Sequence, residues 1–130
     1  MNPDDTVSSV NEDRLRFVRH NGNVIFLIDF SHCKEKEILL LLEQVRAIIA
    51  RHAKGTVLTL GDFTGAEVDR KVATRLKEVL TLDRPYVKRS AFVGIESMPH
   101  VFYENAKSFS QRDIPAFKTR EEAMNWLVAE

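Results

Sequence analysis

Asp62, Thr64 and Gly65 follow a short apolar stretch, and their types and spacing suit the binding of an anion or a partner. Where a strand leads into a helix, free backbone N–H groups and the helix dipole favour negative charge. Thr64 would carry a hydroxyl to such a place, so it is a candidate phosphoacceptor. Thr64 and Glu67 also have the spacing of a capping box, which favours a structural role for the threonine. One residue can serve both roles.

Further polar side chains follow the neighbouring predicted strands. The carboxyl ends of parallel strands share one edge of a sheet, and ligands commonly bind there. We therefore expect a partner- or ligand-binding site at this edge, built from Asp29, Ser31, His32, Asp62, Phe63, Gly65, Glu96 and Ser97.

A second candidate is the basic and aromatic segment Arg84-Pro-Tyr-Val-Lys-Arg89. Tyr86 and Lys88 could hold a phosphate, an acidic partner or an anionic lipid headgroup. In the alternative, which we favour, Tyr86 packs against the sheet and the cations are solvated.

No residue set predicts an enzyme. Asp62-Phe-Thr-Gly65 is similar to the Asp-Lys-Thr-Gly motif of enzymes that form an aspartyl-phosphate, but Phe63 replaces the lysine that neutralises the phosphate. Cys33 beside His32 suggests a thiolate, yet neighbouring side chains usually diverge. No paired Cys or His has the spacing of a metal site. We expect no catalytic residue, no metal and no cofactor.

The composition predicts an ordinary globular protein. Of 130 residues, 44% are hydrophobic, and the 19 basic and 19 acidic side chains cancel, so nothing favours nucleic acid. The single Cys33 fits the reducing cytoplasm. The longest apolar run, Ile38-Leu-Leu-Leu-Leu42, is too short to span a membrane, so we expect no integral membrane association. Residues 1–12 are polar and acidic and predict a disordered tail before one domain at 13–130.

The rest of the chain alternates strand and helix patterns. Asn21-Gly22 predicts a type I′ hairpin turn between strands at 15–20 and 23–29. Further strands are predicted at 56–60, 90–93 and 114–117, and helices at 35–53, 66–80, after a Ser97 cap, and after a capping box at Thr119-Arg-Glu-Glu122. We place Phe102, Ala106 and Phe109 on the inner face of the third helix, and Ala123, Trp126 and Leu127 as anchors of the fourth. This order predicts an α/β fold with a mixed, mostly parallel five-stranded sheet and four helices.

Three segments carry a resemblance to a known family: Gly61-Asp-Phe-Thr-Gly65, Pro85-Tyr-Val-Lys-Arg-Ser-Ala-Phe-Val-Gly94 and Phe117-Lys-Thr-Arg-Glu-Glu-Ala-Met-Asn-Trp-Leu127. With the element order, they resemble the SpoIIAA-like (STAS/SEC14-like) family of small bacterial proteins, within the STAS superfamily. The resemblance covers nearly everything from residue 14 onward. It implies a STAS-like domain that binds partner proteins, and Thr64 falls near the residue that anti-sigma-factor antagonists phosphorylate.

The resemblance implies a non-enzymatic regulatory or binding module that recognises a partner protein through Asp62–Gly65. The alternative is a carrier of a small lipid-like or anionic ligand bound between helices and sheet, with Met98, Val101, Phe102 and Phe109 lining the cavity. At helical spacing such residues are more often plain core. A homodimer also remains open.

Overall fold

Residues 13–129 are described by a computed structural model, and they share a single five-stranded sheet. The strands are β1 Leu15–His20, β2 Asn23–Asp29, β3 Val57–Asp62, β4 Val87–Val93 and β5 Ala116–Phe117. They lie side by side in chain order, with β1 antiparallel to β2 and every other neighbouring pair parallel. The predicted disordered tail at 1–12 lies outside the described residues.

Four helices cover the two faces of the sheet. They are α1 Glu35–Ile49, α2 Arg70–Asp83, α3 His100–Ser110 and α4 Arg120–Val128. The first three bury their apolar sides against one face, and α4 buries Ala123 and Leu127 against the other. The predicted α/β class, the mixed, mostly parallel sheet and the four helices are confirmed, and this arrangement is consistent with a STAS-like fold. None of the helices between residues 13 and 129 has the length and apolar character needed to cross a bilayer.

The hairpin forms as its turn residues predict. Asn21 and Gly22 have φ of 48° and 81°, the two positive values that a type I′ turn requires. In β2, alternate residues enter the two cores: Phe26 packs under α1 to α3, whereas Ile25 and Leu27 pack under α4. This burial on both faces explains why the strand reads as a continuous apolar run.

An aromatic series fills the larger core beside the carboxyl ends of the strands. The ring of Phe63 lies 5.0 Å from that of Phe30 and 4.9 Å from that of Phe92, measured between centroids. Tyr103 of α3 continues the series, and its hydroxyl donates to the carbonyl of Ile114 at 2.6 Å. These contacts anchor the strand ends and the loops that follow them.

The third helix presents a different face from the one predicted. Tyr103, Ala106 and Ser110 are its buried residues, whereas Phe109 is 56% exposed, with the Lys77 ammonium 5.0 Å from its ring centroid. The placement of Phe109 on the inner face was therefore wrong. Apolar residues follow two adjacent lines of α3, and the hydrogen bond of Tyr103 explains which line turns inward.

Several element boundaries also differ from the prediction. Helix α1 ends at Ile49, four residues early, and β4 begins at Val87, three residues early. The predicted cap at the start of α4 is confirmed, since the Thr119 hydroxyl accepts a hydrogen bond from the Glu122 N–H at 3.1 Å.

Candidate functional site

Loops that follow β2, β3 and β4 meet at the carboxyl edge of the sheet. They are the segments 30–34, 63–69 and 94–99, and the start of α4 lies beside them. We call this region the carboxyl edge. It holds all the predicted site residues except Tyr86 and Lys88, as the parallel strands require.

A cluster of two acids and two arginines forms the floor of the carboxyl edge. Asp29 and Asp62 are register partners on β2 and β3. Arg120, the first residue of α4, joins them: its Nε lies 2.7 Å from Asp62 Oδ2 and its Nη2 lies 3.2 Å from Asp29 Oδ1. Arg14 donates to the Ser31 carbonyl at 2.7 Å and lies 3.6 Å from Asp29 Oδ1. The four charges compensate one another.

Contacts within the cluster favour the charged forms of Asp29 and Arg120. Burial by itself raises the pKa of Asp29, but hydrogen bonds from Ser31 and the positive charges of Arg120 and Arg14 outweigh it, and the net pKa is lowered. Burial lowers the pKa of Arg120, and its bonds to Asp62 and Asp29 reverse the sign, so that its net pKa is raised. Asp29 and Arg120 therefore stay ionised at neutral pH.

The turn after β3 is closed by the carboxylate that begins it. Asp62 Oδ1 accepts hydrogen bonds from the Thr64 N–H at 2.9 Å and from the Thr64 hydroxyl at 2.7 Å. With Arg120 on the other oxygen, both oxygens of a nearly buried carboxylate are engaged. Asp62 therefore holds the turn in shape, and it is not a free base.

Hydrogen bonds also connect this turn to the loops on either side. The Thr64 carbonyl accepts from the His32 N–H at 2.8 Å, and the Gly65 N–H donates to Ser97 Oγ at 2.7 Å. The three loops of the carboxyl edge thus form one connected unit, although Thr64, Gly65 and His32 themselves are exposed.

Two glycines permit this close packing. Gly94 has φ of +76°, and a Cβ there would overlap the backbone of Thr64. Gly65 has φ of +67°, and the ring of His32 covers the place that its Cβ would take. His32 itself has φ of 57°, a left-handed conformation that is uncommon for a residue with a side chain. Side chains at either glycine would separate the loops.

Thr64 and Ser97 are not helix caps, and both predictions were wrong. Helix α2 begins at Arg70, and its cap is Asp69, which accepts from the Val72 N–H at 2.8 Å. The Glu67 N–H instead donates to the Cys33 carbonyl at 2.9 Å, which holds the segment outside the helix.

The other predicted capping residue, Ser97, precedes the Pro99 cap of α3, and its hydroxyl binds Gly65. Thr64 therefore lies in an exposed turn with no helix N-terminus beneath it. The two residues that were expected to cap helices join neighbouring loops instead.

The remaining candidates fall in three places. Phe63 is fully buried in the aromatic series, so it supports the turn from below and does not face a partner. Glu96 is exposed next to Ser97. Tyr86 and Lys88 lie at the opposite end of the sheet, where Tyr86 packs against the larger core and Lys88 is exposed.

An open groove borders the carboxyl edge between β1 and α1. It encloses about 570 Å³ and is lined by Asp13, Arg14, Asp29, Ser31, His32, Glu37, Leu40 and Leu41. Because Arg120 and Arg14 compensate Asp29, the carboxylates of Asp13 and Glu37 give the groove its excess of negative charge. Leu40 is 54% exposed. The groove thus combines negative charge with an apolar contact.

The carboxyl edge offers few side chains suited to nucleophilic catalysis or to metal binding. Cys33 is fully buried, and burial raises the pKa of its thiol, which suppresses the nucleophilic thiolate. Within residues 13–129 there is no group of three or more His, Cys, Asp or Glu side chains placed to hold a metal ion.

Sequence reasoning missed Arg120 and Arg14. Arg120 carried a readable signal, because it occupies the first position of a helix, where the dipole disfavours a cation. An arginine there indicates carboxylate partners from elsewhere in the fold. Arg14, in a polar stretch before β1, carried no comparable signal.

Comparison of the chain with protein-family models, with curated proteins and with solved structures gives no match in any of the three.

Proposed function

We propose that the protein is a non-enzymatic binding module of STAS type that recognises a partner protein through Asp62–Gly65 and the loops beside it. The observation that carries this proposal is the turn itself, which is exposed and yet hydrogen-bonded to the loops on both sides. A preorganised surface loses little conformational entropy on binding, which favours recognition.

The adjoining groove indicates the chemistry of the partner. Asp13 and Glu37, which lie outside the compensated cluster, suit a lysine or arginine side chain, and the exposed Leu40 suits a neighbouring apolar one. A basic and apolar segment of a partner would therefore lie in the groove while its flanks contact His32 and Thr64. Since the one cysteine of the chain is a free thiol, we place this activity in a reducing cytoplasm. The resemblance to a family of small bacterial proteins supports a bacterial cell as the setting.

Photocrosslinking tests the proposal. A photoreactive amino acid replaces Thr64 in one variant and the exposed Thr74 of α2 in a matched control, and each is irradiated in extract of the source cells. We expect a discrete protein adduct from position 64 that disappears when Leu40→Lys is added, because this substitution removes the apolar contact and repels a basic segment. Equal adduct patterns from positions 64 and 74 would contradict the proposal.

Phosphorylation of Thr64 would act as a switch in this scheme. The hydroxyl is exposed in its turn and donates to Asp62, and a phosphate could not donate that bond and would repel the carboxylate. We expect Thr64→Glu to remove the adduct formed by a photoreactive group at position 32, while Thr64→Ser retains it. Intact mass measurement of protein from native cells tests whether the modification occurs.

The carrier alternative has weaker support. The cavity between the sheet and helices α1 and α2 encloses only about 30 Å³, enough for a water molecule or two and far less than a lipid chain. Of the residues expected to line a ligand cavity, Val101 and Phe109 are each 56% exposed. A lipid retained in native mass spectrometry of freshly purified protein would reverse this order.

A further inference from the structure

A basic groove lies at the end of the sheet opposite the carboxyl edge. It encloses about 390 Å³, and the charged and aromatic residues of its lining are Arg84, Lys88, Arg89, Arg112, Asp113 and Trp126. Four cations thus face one carboxylate. Small-molecule sites enclose roughly 300 to 1,000 Å³, so the groove has room for a small ligand. Its excess of positive charge favours an anion.

Contacts with carboxylates do not neutralise these cations. In the described part of the chain none of the four has a carboxylate oxygen within 4.0 Å, in contrast to Arg120 and Arg14 at the carboxyl edge. Asp83 lies near Arg112, but it lines the small internal cavity and not the groove. The groove therefore keeps its positive charge.

Neutral acceptors orient the arginines on one side of the groove. Arg84 Nη1 donates to Gln111 Oε1 at 3.0 Å. Arg112 donates to the Leu80 carbonyl at 3.1 Å and to Ser90 Oγ. A guanidinium has more N–H donors than these bonds use, so each arginine is held in place and can still donate to a ligand. Little side-chain entropy is lost when an anion binds to groups held in this way.

Two of these arginines repel each other. Burial lowers the pKa of Arg112 to about 10, and the positive charge of Arg84 acts in the same direction, against the attraction of Asp83. A lowered pKa of an arginine means that its surroundings disfavour the charged form. An anion bound beside both guanidinium groups would offset this repulsion, so the folded chain itself favours anion binding at this place.

A tryptophan borders the groove on the side of α4. Arg89 lies 5.5 Å from the ring centroid of Trp126 and donates to the Ala129 carbonyl at 2.6 Å. The partly exposed indole offers a large apolar contact beside the cations. The groove thus suits an anionic group that is attached to an apolar or aromatic body.

We propose that this groove binds a small molecule carrying a phosphate monoester, with the phosphate beside Arg84 and Arg112 and the organic part against Trp126. A phosphate monoester has a charge of roughly −1.5 to −2 at pH 7, so it matches several cations better than a single carboxylate does. The planar guanidinium fork also fits phosphate oxygens bidentately. Asp113 opposes this attraction with one charge only. The site lies at the opposite end of the sheet from Asp62–Gly65 and is independent of the function proposed there.

Intrinsic fluorescence tests the proposal, because Trp126 is the only tryptophan of the chain and lines the groove. With phenyl phosphate as the probe and the full chain, we expect a saturable change, at least about tenfold weaker in the double variant Arg84→Gln, Lys88→Gln. The matched control Arg70→Gln, Lys36→Gln loses the same two charges at exposed positions that do not line the groove, and it should bind as the parent does. Circular dichroism and thermal unfolding verify that the variants remain folded.

Two further probes separate a phosphate ester from other anions and from membranes. Phenyl sulfate has nearly the same shape and a single negative charge, so we expect it to bind at least about tenfold more weakly. Equal binding of the two esters, equal binding to the double variant and its control, or no saturable response to phenyl phosphate would each overturn the proposal. Vesicles that contain phosphatidic acid present the same phosphate group on a membrane. Flotation of the chain with these vesicles, without a response to phenyl phosphate, would overturn it in favour of a lipid headgroup.

Discussion

An aspartate lies near arginines at each end of the sheet, yet the fold shifts the pKa values of these two carboxyl groups in opposite directions. At the carboxyl edge the pKa of Asp29 is lowered, because hydrogen bonds from Ser31 and two arginine charges outweigh burial. At the other end burial raises the pKa of Asp83 to about 6, against weaker attraction from Arg112 and Arg46. A nearby positive charge is therefore insufficient, and donors that contact the carboxylate decide.

The contacts at the two ends explain the difference. Asp62 and Asp29 are reached directly by Arg120, whereas no ion pair within 4.0 Å reaches Asp83 from any residue in the described part of the chain. The Arg112 guanidinium donates to the Leu80 carbonyl and to Ser90 Oγ, not to Asp83. Burial lowers the pKa of Arg112 to about 10. Asp83 is also the last residue of α2, where the helix dipole disfavours an anion. The aspartates of the carboxyl edge have direct cationic partners, whereas Asp83 has none within residues 13–129, so ionised Asp83 destabilises the fold.

The largest effect is expected from a glycine that permits the tight packing of the carboxyl edge. Gly94→Ala should lower the free energy of unfolding by about 3 kcal/mol, since left-handed backbone strain and overlap with Thr64 add. Gly55 lies toward the other end with φ of +71° and open space around its Cα, so Gly55→Ala should cost only about 1 kcal/mol. Urea unfolding measures both. Equal losses would show that Thr64 moves away from the new methyl group with no loss of stability.

Removing the central cation of the carboxyl edge should have the next largest effect. Arg120→Met leaves Asp62 buried without its ion pair, and we expect a loss of about 2 kcal/mol. The opposing gain from removing a cation at a helix start is only a few tenths of a kcal/mol, roughly.

Arg75→Met is the matched control for this substitution. Arg75 and Arg120 are similarly exposed, at 28% and 32%, but Glu43 is 52% exposed whereas Asp62 is 7% exposed. The exposed pair should contribute less than about 1 kcal/mol. Equal losses of unfolding free energy for the two substitutions would show that the burial of Asp62 does not strengthen its ion pair with Arg120.

The third effect is expected at Asp83, is similar in size to the second, and depends on pH. Its pKa rises from 3.8 to about 6 on folding, so the protonated form contributes stability at low pH that is lost as pH rises through 6. Asp83→Asn has no carboxyl to ionise at this position. Between pH 4 and pH 8 its free energy of unfolding should therefore rise by at least about 1 kcal/mol relative to that of the parent protein.

Asp29→Asn should behave in the opposite way. Because the pKa of Asp29 is lowered from 3.8, its contribution is present at neutral pH and disappears as the solution is acidified below that value. Chemical unfolding from about pH 2 to about pH 8 measures both variants. A difference from the parent that is independent of pH in Asp83→Asn would mean that the carboxyl does not titrate near 6.

Much of the fold could be read from local patterns. The predictions of the Asn21-Gly22 turn, of strand β2 and of the apolar face of α1 are confirmed. Each of them depends only on residues that are close together in the chain. The meeting of Asp29, Asp62 and Ser97 at one edge also followed, because parallel strands place their carboxyl ends together.

Predictions failed where two local solutions were equally good. Thr64 and Asp69 are both suitable helix caps, and the bond of the Glu67 N–H to the Cys33 carbonyl favours the later start. On α3 we placed Phe109 on the inner face, but Tyr103 is buried instead, and its hydroxyl donates to the carbonyl of Ile114. In both cases the deciding contact joins segments that are distant in sequence.

The sequence by itself determined the class of the fold, the order of its elements and the edge where exposed polar groups gather, because periodicity and turn chemistry act over a few residues. Only the tertiary structure decided how those groups are used. Arg120 lies 58 positions from Asp62 along the chain, and Arg112 lies 22 positions from Ser90. Such pairs form when packed helices bring their ends to the sheet, and no local pattern encodes the contact.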